Sequence, residues 1–226
     1  MGPAIGDVLP EAVGIAISPV AIIAVILMLF TPQARTNGPA FLAGWVIGLL
    51  VVGGIALAVS TGSDASTEEA PSDVSFAMQL LIGLAFFFLA YRQWQSRPRE
   101  GEEAEMPAFM KALDTFTPAK SFGTGALGAA VNPKNLGLAL AAAASIGQQP
   151  DLEGAELWIV LIVFVLLASA SIGGAVLYYL LGGESAEDRL DTLKGWMVQN
   201  NATIMTVLFV VLGAKLFGNG LGGLTN

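Results

Sequence analysis

The stretch GAAVNPKNLG, residues 128–137, decides how this sequence folds. It interrupts a long apolar segment with Asn132, Pro133, Lys134 and Asn135, where a membrane helix would carry leucine. Proline has no amide hydrogen and its ring clashes with the preceding turn, so Pro133 breaks or kinks the helix that reaches it. In lipid, backbone groups freed by such a break are tolerated only where they face protein or a watery cavity. A charged Lys134 at that depth costs roughly 2.5–3.5 kcal/mol on insertion scales. Three things can offset that cost: water in a cavity, backbone carbonyls freed by the break, or a bound anion. An anion is favoured, because a lysine and a half-helix N-terminus both attract negative charge.

A second stretch, GIAISPVAII at residues 14–23, sets Gly14 on Gly128, Ala16 on Ala130, Ser18 on Asn132 and Pro19 on Pro133. Pro19 should therefore break its helix too, and Ser18, Asn132 and Asn135 can bond the freed backbone. Each stretch lies in the first span of a three-span half, so the second half would enter the membrane from the opposite face. That is the pattern of an inverted-repeat transporter, whose two broken helices meet near the midplane.

The rest of the chain fits a membrane protein. Of 226 residues, 54% are hydrophobic and 12% charged, with a mean hydropathy of +0.70; soluble domains carry about twice that charged fraction. Six segments are apolar enough to cross a bilayer, which takes about 20 residues each. They are residues 11–30, 41–60, 74–91, 122–146, 157–181 and 201–217. The first has no Lys or Arg before Arg35, follows Asp7 and opens on Glu11, so it is expected to be retained as a span and not cleaved. Residues 1–91 form the first three-helix repeat, 92–120 a cytoplasmic linker, and 121–226 the second repeat. Arg35, Arg92, Arg97, Arg99, Lys111, Lys120, Arg189 and Lys194 all fall in odd-numbered loops. Basic loops stay in the cytoplasm, which puts both termini outside. The linker carries Met106, Phe109, Met110, Leu113 and Phe116 at near-helical spacing, so it reads as an amphipathic surface helix or as a solvated tether.

Cysteine and histidine are absent, which excludes disulfides, thiol chemistry and the commonest transition-metal ligands. No carboxylate cage for a metal cation is visible within the spans, and neither cofactor nor metal is expected. The net charge of −8 speaks against a nucleic-acid partner. Glu11 and Glu156 stand at the outer edges of their spans, so Lys134 has no evident carboxylate partner. Lys134 is about twelve residues into its span, roughly 18 Å, which is far for snorkelling to an interface. Lys215 is close to a span end, where snorkelling suffices. Trp94, Trp158 and Trp196 fall near span ends and read as interfacial anchors; Trp45 fits anchoring or packing. Gly44, Gly48, Gly53 and Gly54, with Ser169, Ser171, Gly173 and Gly174, read as sites of close helix packing.

ISPVAIIAVILML, AFLAGWVIG and GALGAAVNPKNLGLALAAAASI together resemble the GAP family, the bacterial glycolipid-addressing proteins of glycopeptidolipid and sulfolipid type, within the lysine-exporter (LysE) superfamily. The similarity covers essentially the whole chain, and NPKNL is its most specific part. It implies an all-α, six-span 3+3 protein of the bacterial plasma (inner) membrane that moves envelope glycolipids or related lipids outward. The family's proline motifs fall on Ser18-Pro19 and on Asn132-Pro133-Lys134-Asn135-Leu136. Its first motif often has a second proline where this chain has Ala21, which softens the expected bend.

The leading expectation is an exporter or flippase for an amphiphile with an anionic or polar head. The head would bind among Ser18, Pro19, Asn132, Pro133, Lys134 and Asn135 while the two halves open alternately. No GxxxxGK[ST] stretch is present, so ATP is not hydrolysed by that route. Export of a small soluble anion or amino acid is an alternative, and a non-transporting scaffold of a lipid-export complex is another. A hydrolase using Ser18 with Lys134 as base lacks any visible oxyanion-hole set, and the chain is not expected to be an enzyme. A membrane lipid or glycolipid is the expected partner; a homo-oligomer or envelope-export proteins stay open.

Overall fold

The computed structural model describes residues 1–62, 73–99, 102 and 116–225. Met106, Phe109, Met110 and Leu113 of the expected amphipathic segment lie outside the described residues. The described chain is helical throughout: α1 (Gly2–Ala16), α2 (Pro19–Leu29), α3 (Ala34–Gly62), α4 (Asp73–Gln95), α5 (Pro118–Ala130), α6 (Pro133–Gly147), α7 (Ala155–Ala168), α8 (Ala170–Gly182) and α9 (Glu184–Thr225). Two of these helices, α3 and α9, are long and apolar enough to cross a membrane. The count rises to four if α1 with α2, bent by 56°, and α7 with α8, bent by 58°, are each one span.

Proline sets the breaks. Pro19 and Pro133 each begin a helix within its first turn, where the missing amide would be unpaired anyway and the fixed φ is already helical. The α7–α8 bend falls at Ser169, in the run Ser169-Ala170-Ser171 ahead of Gly173 and Gly174. Clustered Ser and Gly are a known cause of sharp kinks, and this bend is one the sequence reading does not anticipate. The first span also starts earlier than expected. Helix α1 begins at Gly2 with proline in its first turn, so Glu11 is not at a span edge. It lies well inside α1 and is only 7% exposed.

The chain divides into two compact units, one of Met1–Asp64 with Met106–Lys194, the other of Ala65–Glu105 with Gly195–Asn226. In the first, α2 is apolar on every side and nearly all buried, as a helix without a polar face must be. The buried core of this unit also includes Phe41, Trp45 and Leu49 of α3 and Phe164 of α7. Glycine brings α3 and α5 together at backbone distance. A methyl group on Gly44 would collide with the Phe122 carbonyl, and one on Gly125 with the Phe41 carbonyl; on Gly48 it would stand 2.6 Å from Ala126 O. These are the small-residue contacts expected of helices in lipid. Gly173 meets only ordinary contacts and Gly174 faces open space, so the close packing expected there is not found. In the second unit α4 pairs with the later part of α9. Gly83 faces the Phe217 amide, Phe86 stacks on Phe209 with centroids 5.7 Å apart, and Phe87 meets Phe217 edge-on at 6.1 Å.

Candidate functional site: two helix breaks joined by a lysine

Helix α1 ends with carbonyls that have no helical partner. The amide of Ser18, which would serve Gly14 in a continuing helix, donates instead to Ala16 O at 3.0 Å. Ser18 is the N-cap of α2, yet its hydroxyl makes no capping bond. Buried carbonyls left in this state would be costly. Two residues from distant helices supply the missing donors. Lys134 Nζ donates to Gly14 O at 2.7 Å and to Ile17 O at 3.0 Å. Ser171 Oγ, from the first turn of α8, donates to Ala16 O at 2.6 Å.

Lys134 is in the first turn of α6 and is 6% exposed. Its ammonium thus leaves the positive end of its own helix and lies at the negative end of α1, where the dipole favours a cation. Leu138, one turn on, packs so closely that a methyl on Gly14 would stand 2.9 Å from Leu138 Cδ1. The sequence favours a bound anion as the remedy for this charge. The described contacts are backbone carbonyls, the second of the three remedies.

The α5–α6 break is closed from within. Asn132 caps α6 by accepting from the Lys134 amide at 3.0 Å. Asn135 Nδ2 reaches back to Gly128 O at 3.2 Å. Asn135 is wholly buried, and its Oδ1 has no protein hydrogen-bond partner. Gly14 and Gly128, aligned in sequence, therefore both have their carbonyls bonded from the first turn of α6. Of the six expected site residues, Lys134, Asn132 and Asn135 bond the backbone at the breaks. Ser18 and Pro19 are buried at the α1–α2 break, while Pro133 is exposed.

Ser171, expected only to pack, bonds Ala16 instead. The sequence offers two hydroxyls here, Ser169 and Ser171, and nothing in it marks which of them meets the break. Trp45 is fully buried and is therefore a packing residue, its ring 3.7 Å from where a Gly128 methyl would be. Trp94, Trp158 and Trp196 are roughly half exposed. Lys215 is exposed on α9.

An apolar groove of about 460 Å³ lies between α3 and α6, lined by Val52, Ile55, Ala56 and Val59 with Leu136 and Leu140. Leu136 follows Lys134 by two residues, about 200° around the helix. The groove and the ammonium thus occupy different faces of α6.

An all-helical membrane protein with proline-interrupted helices, and a buried lysine spanning from one interruption to the other, is the class these features define. The chain matches the family described as Sap, sulfolipid-1-addressing protein, over residues 8–222 and belongs to it. That membership supports the GAP-like resemblance and a role in lipid or glycolipid addressing or export. No curated protein and no solved structure matches the chain.

Proposed function

We propose that this protein is a lipid exporter or flippase, a carrier and not an enzyme, for an amphiphile with an anionic or polar head. The observation that carries the reading is Lys134, a buried cation at a double helix break in a family named for lipid addressing. In the described state two of the three ammonium donors hold α1. A head group competes for this ammonium, and its arrival loosens the hinge between α1 and α2. Substrate binding and opening are then one event, because the ligand takes the group that locks the fold. The groove between α3 and α6 gives an acyl tail an apolar path along the outside of α6.

Further support comes from how the helices pair. Exchanging the halves maps α1 and α2 onto α5 and α6, and α3 onto α7 with α8. The packing of α3 on α5 and of α3 on α6 then corresponds to α7 on α1 and α8 on α2, all of which occur. This pairing supports reading the chain as a 3+3 inverted repeat, with halves at residues 1–91 and 121–226 joined by 92–120. Under this reading the fold is of LysE-superfamily type, both termini are extracytoplasmic, and alternating access takes place around the two breaks, with α1–α2 as the joint that moves. The protein would sit in the bacterial inner membrane, where basic loops face the cytoplasm.

The test is lipid analysis of the outer leaflet in cells with and without the protein, repeated with Lys134→Arg and Lys134→Ala. A polar-headed amphiphile should fall several-fold outside and accumulate inside when the protein is missing. Unchanged outer-leaflet lipids would end the exporter reading, whereas a fall on deletion that well-folded Lys134→Ala fully reverses would favour a scaffold of an export complex. A changed small soluble anion or amino acid in the medium would favour the other carrier reading.

A further inference from the structure

The end of α1 has the form of a cation site. Gly14 O and Ile17 O converge on one nitrogen at 2.7 and 3.0 Å. Ala16 O, between them in sequence, is held in place by Ser171. Carbonyls of an unwound segment, together with the negative end of a half-helix, are the ligands that membrane carriers offer to small monovalent cations. The seat is closed on the Gly14 side, where Leu138 packs over Gly14 and Lys134 is buried, and more open at Ile17, which is exposed.

We propose that the α1–α2 break is a binding site for a small monovalent cation, and that the Lys134 ammonium, tethered to α6, is its resident occupant. The chain carries its own cation, so no free ion can enter while the side chain is in place. The lysine side chain beyond Cβ is a propylammonium. Removing it should leave a seat of that shape, with carbonyls that need a donor. The site follows from the geometry of the break alone and stands or falls separately from the export reading.

The experiment compares the purified full-length protein with its Lys134→Ala and Lys134→Met variants. Melting temperature is followed in n-propylammonium chloride and in tetramethylammonium chloride at equal ionic strength. The second cation has no N–H donor and cannot bond the carbonyls. Lys134→Ala should melt roughly 5 °C or more below wild type. Propylammonium should recover most of that loss in a saturable way, while tetramethylammonium should not. Wild type should respond to neither, and Lys134→Met, whose chain fills the seat, should not be recovered. Equal effects of the two salts on Lys134→Ala would overturn the proposal, as would a matching rise in wild type or in Lys134→Met. If Lys134→Ala aggregates on extraction, the same two salts are compared during extraction. Monodisperse protein in propylammonium alone supports the seat, and equal aggregation in both contradicts it.

Discussion

The two proline breaks are built from aligned sequences yet are closed by opposite means. The α5–α6 break closes itself, with Asn132 capping the new helix and Asn135 reaching back to Gly128 O. The α1–α2 break has Ser18, Val20 and Ala21 at the positions of Asn132, Lys134 and Asn135. Val20 and Ala21 carry no side-chain donor, and Ser18 makes no cap bond. Its carbonyls are served by Lys134 and Ser171, more than a hundred residues away. A self-closed break is a fixed joint. One closed from other helices can be released when those helices or their side chains move, and under the proposed export reading this difference would make α1–α2 the hinge.

The largest expected effect comes from Lys134→Glu, which sets an anion against the negative end of α1. Breaking a buried charged contact from one side costs about 3–5 kcal/mol. For a chain of this length that is a fall in melting temperature of roughly 6–20 °C, readable by thermal unfolding in detergent. Export should be lost with it.

Next is the close approach of α3 to α5, the helix that leads into the self-closed break. Gly44→Val puts side-chain atoms into the Phe122 carbonyl on α5. Overpacking costs about 1–3 kcal/mol when neighbours can yield, and here the neighbour is backbone. The variant should lose stability by at least that much, whereas Gly174→Ala, which faces open space, should be unchanged or gain up to about 1 kcal/mol from helix propensity.

Smaller effects sharpen the contrast between the breaks. Ser171→Ala removes one bond to Ala16 O and should cost about 1 kcal/mol. Asn135→Ala should cost a similar amount, but through the α5–α6 joint. The two should separate in function: Ser171→Ala, which touches the hinge, should change the export rate per folded molecule more than Asn135→Ala does. Transport assays normalised to folded protein check this. Ala21→Asn, which gives the first break a donor at the position of Asn135, should reduce the penalty of Lys134→Ala in a double-mutant cycle. Strict additivity would show that the introduced amide does not reach the carbonyls.

Much of this is legible in residues 14–23 and 128–137. Proline dictates where α2 and α6 begin, because its chemistry is local. Apolar runs and glycine spacing likewise foretell α3 and its tight helix packing, though not that the partner is α5. The partner of Lys134 is not legible. Backbone carbonyls are the same at every position, so no residue type announces that Gly14 and Ile17 will accept from it. An anion looks preferable when side chains alone are counted. The kink at Ser169 is hidden for a related reason: Ser and Gly in a span signal packing and bending alike, and only tertiary contacts separate the two. Glu11 is misplaced because the apolar run starts there, although the helix, opened by Gly2 and Pro3, starts earlier.

The most direct measurement is solid-state NMR on protein labelled with ¹⁵Nζ-lysine and ¹³C′-glycine in lipid bilayers. A bond from Lys134 to Gly14 O places that nitrogen within about 4 Å of the glycine carbonyl carbon. A strong lysine–glycine dipolar coupling that disappears in Lys134→Met is the expected result. No such coupling in the unliganded protein, or one that survives the substitution, would contradict the idea that this lysine closes the end of α1.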